Sequence, residues 1–152
     1  MTYIELSEYT TTFGKIETEL FIRVSAKAAR MMERYTTGID GFNKLRKAYP
    51  EQERETIQYC AGELIRYLSC CELNESALNT AEDTSSGTHS KIITSVSAGN
   101  ETVSYATVTS VSRLEQEQTC ARIIREYLTG IQDANGVYLL YMGAYPHKSY
   151  KM

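Results

Sequence analysis

The stretch Ser90-Lys-Ile-Ile-Thr-Ser-Val-Ser-Ala-Gly-Asn-Glu-Thr-Val-Ser-Tyr-Ala-Thr107 has a pattern that differs from the helical pattern of the rest of the chain. Its two arms are rich in β-branched residues, and Gly99-Asn100 between them tolerates positive φ. This pattern predicts a β-hairpin over residues 91–107. A lone hairpin is marginally stable in water, so we expect it to pack either on its own domain or on another copy of the chain.

Helical periodicity dominates the sequence on both sides of the hairpin. Apolar residues recur at steps of three and four and predict three long helices, over residues 16–35, 51–73 and 112–130. Pro50 and the glutamates that follow it favour a helix start, and residues 112–115 have the Ser-x-x-Glu form of a capping box. The sequence therefore predicts a mainly α fold, a small helical bundle of three main helices plus short ones, with one protruding β-hairpin.

The 152 residues are enough for one ordinary domain, so we expect residues 1–152 to form a single domain. Residues 74–90 are polar with few apolar anchors, which predicts a flexible loop leading to the hairpin. Residues 136–143 form an apolar run between two glycines. This run opens a C-terminal tail over residues 136–152, which we interpret as either a strand or an extended segment pressed against a partner.

Composition disfavours several classes of protein. A net charge of -3 and the lack of a basic stripe argue against broad phosphate binding. The sequence has no apolar run of membrane-spanning length, so we expect no membrane association. The N-terminus has neither a basic start nor an apolar signal core, so we expect the protein to stay where it is made. The 12 tyrosines suit a surface that becomes an interface, because tyrosine packs its ring while its hydroxyl stays wet.

Reactive residues are scattered rather than convergent. The cysteines and histidines are Cys60, Cys70, Cys71, Cys120, His89 and His147. They form no C-x-x-C pair and no metal-ligand spacing, so we predict neither a metal nor a cofactor. The sequence also shows no Gly-rich phosphate loop and no Ser-His-Asp order, so we expect no enzymatic activity and predict no catalytic residues.

Three cations form the densest positive run in the sequence: Lys44, Arg46 and Lys47. Such a run is usually a solvated face. The alternative is that the protein is an intracellular helical binding module that contacts nucleic acid through these residues. Salt-dependent DNA binding would favour that alternative.

Short motifs follow one another along the chain in this order: Phe13-Gly14, Ala28-Ala29, Tyr35-Thr36, the helix at 57–68, the hairpin core at 93–105, Tyr127-Leu128 and the run at 136–143. In order and spacing, the chain resembles the small head-tail connector, or adaptor, proteins of tailed bacteriophages and prophages. The resemblance covers most of the chain. It implies a structural protein of the virion that is assembled in the bacterial host cytoplasm.

The resemblance also implies a ring homo-oligomer, commonly twelvefold, that lies below the portal, connects head to tail and extends the DNA channel. The expected partners are other copies of the chain, the portal protein and tail or head-completion proteins, with DNA passing through the lumen without specific binding. Contacts between subunits or with the portal are expected from seven residues: Ile93, Val96, Val103, Tyr105, Tyr138, Leu140 and Tyr141. Another neck or tail-completion protein would share nearly all these features and stays open as an alternative.

Overall fold

The computed structural model describes residues 2–84, 91–96, 103–107 and 112–146, with side chains described for residues 2–75 and 112–146. The described chain is mainly helical, as the periodicity predicts. Its elements are α1 (Leu6–Phe13), α2 (Thr18–Thr36), α3 (Lys44–Lys47), a 3-10 turn (Glu51–Glu53), α4 (Arg54–Thr84), β1 (Lys91–Val96), β2 (Val103–Thr107) and α5 (Arg113–Leu128).

The three long helices form where the apolar stripes predict them. Each buries its stripe in one hydrophobic core, to which α2 contributes Val24 and Met32, α4 contributes Leu64, and α5 contributes Ile124 and Leu128. All five of these side chains are fully buried. Burying such a side chain contributes about 1.5–3 kcal/mol, so this core is the main source of stability for these helices.

Helix α4 ends later than the sequence predicts. It continues past Leu73 to Thr84, so residues 74–84 of the predicted flexible loop are helical. Polarity misled the prediction, because alanine, leucine and glutamate in this stretch are good helix formers and the first strong breaker is Gly87. The remainder of the predicted loop, residues 85–90, lies outside the described residues.

The chain divides into two compact units, Met1–Ser69 with Leu114–Met152, and Cys70–Arg113. The second unit holds the end of α4 and the two strands, which pair antiparallel. In that pairing Ile93 lies opposite Tyr105 and Val96 opposite Val103. The residues between the strands lie outside the described part of the chain, and a protruding hairpin stays a prediction.

The C-terminal segment, residues 129–146, folds onto the first unit. A turn with Gly136 at a φ of 84° is closed by a bridge between Gln132 and Tyr138. The next residue, Leu139, is completely buried in the core. Its own chain therefore holds the described residues 136–146, and contact of this segment with a partner stays a prediction. Residues 147–152 lie outside the described residues.

Candidate assembly surface

Lys44 is the first residue of the four-residue helix α3 and is only 1% exposed. Its Nζ donates hydrogen bonds to the backbone oxygen of Thr36 at 3.1 Å and to that of Tyr141 at 2.5 Å. Burial lowers the pKa of Lys44, while the carboxylates of Asp133 and Asp40 act in the opposite direction. The lysine thus ties the last turn of α2 to the C-terminal segment.

The structure does not support a dense positive face on α3. While Lys44 is buried, the Nε of Arg46 lies 2.9 Å from Glu33 Oε1, and Lys47 Nζ lies 5.2 Å from the centroid of the Phe42 ring. The expectation of a solvated face holds for Arg46 and Lys47, which are exposed. It is wrong for Lys44, because a helix places positions two apart on opposite faces. The run of cations is therefore distributed among three separate contacts.

Glu33 joins the N-terminal residues to α2 and α3. Its Oε1 accepts a hydrogen bond from the Tyr3 hydroxyl at 2.9 Å as well as the bond from Arg46. Tyr3 and Glu33 are both buried. Burial, reinforced by the hydrogen bond to Glu33, raises the pKa of Tyr3. These hydrogen bonds hold α3, which contains Lys44, and the N-terminal residues against α2.

A second network anchors the C-terminal segment through Asp133, which is also buried. The Tyr145 hydroxyl donates to Asp133 Oδ2 at 2.7 Å, and the Tyr145 backbone N–H donates to Asp40 Oδ2 at 2.9 Å. The Tyr145 ring also stacks on Phe42, with ring centroids 3.8 Å apart. Burial and the bond to Asp133 raise the pKa of Tyr145. Tyr145 therefore fastens the segment to the connection between α2 and α3.

Four large apolar side chains remain exposed where this segment meets the same connection. Their exposed fractions are 84% for Ile39, 55% for Tyr138, 48% for Tyr141 and 52% for Met142. The Ile39 N–H donates to the Met142 oxygen at 2.8 Å, and the Tyr141 N–H donates to the Tyr138 oxygen at 3.0 Å. These bonds place the backbone of Ile39 beside that of Met142, and the backbone of Tyr141 beside that of Tyr138. We refer to the four residues as the apolar patch.

The apolar patch includes two of the three interface residues predicted in the tail. Tyr138 and Tyr141 are exposed, whereas Leu140 is partly buried against the core and offers less surface. Sequence reasoning missed Ile39, because nothing near it in the sequence indicates that the chain end returns beside it. The four predicted hairpin residues Ile93, Val96, Val103 and Tyr105 lie in β1 and β2, whose side chains lie outside the described part of the structure.

Comparisons with protein-family models, curated proteins and solved structures found no match to this chain. Among the described residues, no helix combines the length and the apolar character needed to cross a membrane. Within the same residues, no group of three or more His, Cys, Asp or Glu side chains is arranged to hold a metal ion.

Proposed function

We propose that the chain is a structural virion protein of a phage or prophage, which forms a ring below the portal, connects head to tail and extends the DNA channel. The observation that carries the proposal is the apolar patch. Clustered exposed apolar residues, unlike scattered ones, are typical of interaction surfaces, and tyrosine and methionine are enriched at interfaces. The order of helices and strands along the chain also resembles that of head-tail connectors, which supports the same proposal.

The support beneath the patch favours binding over chance exposure. Lys44 holds the Tyr141 oxygen, and the Ile39 N–H holds the Met142 oxygen. Leu139, which directly follows the exposed Tyr138, is completely buried in the core. A surface whose backbone is fixed before binding loses less conformational entropy when a partner arrives. The patch is thus preorganised to bind another protein.

The strands supply a second proposed contact, the protruding hairpin. Their register places Ile93 opposite Tyr105 and Val96 opposite Val103, and the two β2 positions are two residues apart. The pairing has a register irregularity between Ile93 and Ser95. The resemblance to connectors implies that Ile93, Val96, Val103 and Tyr105 contact a neighbouring subunit or the portal.

The nucleic-acid alternative depends on the cations of α3. With Lys44 buried and Arg46 paired with Glu33, those residues do not form one phosphate-binding face. The connector is therefore the better-supported proposal. Another neck or tail-completion protein would use the same kind of surface and is distinguished by its position in the particle.

The test is the mass of the purified protein, measured by light scattering over a concentration series, alone and with the portal protein of the same phage or prophage. A large closed oligomer, or a monomer that joins the portal ring in fixed ratio, supports the proposal. A monomer or dimer that ignores the portal refutes it.

A matched pair of variants tests whether the patch forms the contact. Ile39→Ser removes an exposed isoleucine of the patch, and Ile22→Ser removes an isoleucine of α2 that is 61% exposed and lies outside the patch. We expect only Ile39→Ser to weaken assembly, with helical content unchanged in both variants. Equal assembly by the two variants would exclude the patch as the contact.

A further inference from the structure

A groove of about 360 Å³ lies between α1 and the start of α4, away from the apolar patch in sequence. Its apolar lining comes from Ile4, Phe13 and Tyr59, and the last two rings meet edge to face with centroids 6.3 Å apart. Two carboxylates, Glu8 and Glu55, also line it, and its nine lining residues include no lysine or arginine. The groove thus combines an aromatic wall with negative charge.

The Glu8 carboxylate is held in place at the groove. Its Oε2 accepts a hydrogen bond from the Glu5 backbone N–H at 3.0 Å, and Gln58 Nε2 lies 3.2 Å from each of its oxygens. A carboxylate positioned in this way still has lone pairs for an ammonium group. The groove therefore suits a segment that carries both cations and an apolar or aromatic side chain.

The chain itself contains such a segment immediately after Pro146. Residues 147–152 include two cations, an aromatic ring and a thioether: Lys148, Lys151, Tyr150 and Met152. They follow the apolar patch by only a few residues in the sequence. We infer that residues 147–152 of one copy bind in the α1–α4 groove of the next copy. This inference rests on the proposed ring and names its second contact.

Charge and topology both favour this occupant. Lys148 and Lys151 complement Glu8 and Glu55, and the aromatic wall accepts Tyr150 or Met152. The groove and the segment are different surfaces of the chain. Their pairing is therefore heterologous, as a closed ring of more than two subunits requires.

A second acidic cavity, of about 390 Å³, provides the competing site. Glu51, Glu53 and Asp133 line it, and it lies beside the C-terminal segment of the same copy. Tyr49 is its only aromatic lining residue. The α1–α4 groove offers two rings and an isoleucine, so it matches the mixed character of residues 147–152 better.

The first experiment measures binding of a labelled, amide-capped peptide of residues 144–152 by fluorescence anisotropy. The receptor is the full chain carrying Lys148→Glu and Lys151→Glu, whose own segment does not compete. We expect saturable binding that weakens with salt. Glu8→Gln with Glu55→Gln should weaken it roughly fivefold, from two exposed charge pairs, while Glu51→Gln with Glu53→Gln leaves it unchanged. No binding, or loss only with the Glu51 and Glu53 changes, overturns the inference.

A charge exchange then tests whether the segment binds its own copy or the next one. One full chain carries Glu8→Lys and Glu55→Lys, and the other carries Lys148→Glu and Lys151→Glu. Each should assemble poorly alone, because its segment and groove then have like charges. Mixing the two should restore assembly, since every contact between unlike copies becomes complementary. Failure to restore it, with both variants folded, overturns binding between copies.

These outcomes separate the inference from the proposed function. Peptide binding in the groove by a protein that never forms a ring or joins the portal would refute the connector and leave the groove as a binding site. If the variant with Glu8→Gln and Glu55→Gln forms a normal ring, and the groove binds no peptide, the groove contact alone is refuted.

Discussion

Replacing Lys44 with methionine removes the ammonium group that holds the C-terminal segment and keeps a side chain of similar length. The change deprives the backbone oxygens of Thr36 and Tyr141 of their donor. An unsatisfied buried acceptor costs about 1–3 kcal/mol, which applies in full to the Thr36 oxygen and is an upper limit for the part-buried Tyr141 oxygen, so the sum is at most about 6 kcal/mol. Burying a charge is itself unfavourable, so its removal offsets part of that loss. We therefore expect Lys44→Met to lower the free energy of unfolding by about 2–4 kcal/mol.

Urea unfolding followed by circular dichroism measures this loss. With a slope of about 1–3 kcal/mol per molar, the midpoint should fall by roughly 1–2 M urea. The matched control is Lys27→Met, because Lys27 is an exposed lysine of α2 and its replacement should change stability by less than about 0.5 kcal/mol. If Lys44→Met is as stable as the control, the two hydrogen bonds do not hold the segment.

The pH dependence gives an independent check of the same contact. Burial places the pKa of Lys44 below its ordinary value of 10.5, so the unfolded chain holds this proton more tightly than the folded chain. The contribution of Lys44 to stability therefore rises as pH increases from the folded pKa toward 10.5 and falls as pH decreases through the folded pKa. The stability difference between wild type and Lys44→Met should widen in that window. A constant difference would refute the burial of a charged lysine.

Three further predictions concern the core. Leu139→Ala should lower the free energy of unfolding by about 2–5 kcal/mol in urea, whereas Tyr138→Ala beside it should cost less than about 1 kcal/mol. Burial raises the pKa of Cys60 from 9.0 to about 12, so its contribution to stability is lost as pH rises above 9.0. Relative to Cys60→Ala, wild type should lose about 2 kcal/mol between about pH 8 and about 10.5. Gly62→Ala would place a Cβ against the Phe13 ring, where there is no room for it, and should lower the urea midpoint without reducing α4 helicity.

Periodicity alone predicted the long helices, because each needs one apolar face and α2, α4 and α5 all bury that face in a common core. The end of α4 was harder to place. Residues 74–84 have helix-forming composition without an apolar stripe, and reading their polarity as a loop ignored backbone propensity. Helix-forming composition can therefore carry a helix beyond the end of its apolar stripe.

Only part of the candidate site could be predicted from the sequence. The apolar run at 136–143 identified Tyr138 and Tyr141. The burial of Leu139 depends on its packing in the core of the first unit, which the run itself does not indicate. Lys44 is the clearest failure, because its bond to Tyr141 spans 97 positions and no local pattern encodes it. A lysine among other cations is expected to be exposed to solvent. The burial of Lys44 becomes evident only when the C-terminal segment is placed beside it.

The choice of lysine at position 44 has a physical reason that bears on assembly. The Thr36 oxygen is at the C-terminal end of α2, where helix carbonyls have no intrahelical donor and the helix dipole favours a cation. The Tyr141 oxygen converges on the same point, and one ammonium group with three donors can satisfy both. The apolar patch is thus coupled to the end of α2. Lys44 variants should therefore weaken assembly by misplacing Tyr141 and Met142, even though Lys44 itself is too buried to contact a partner.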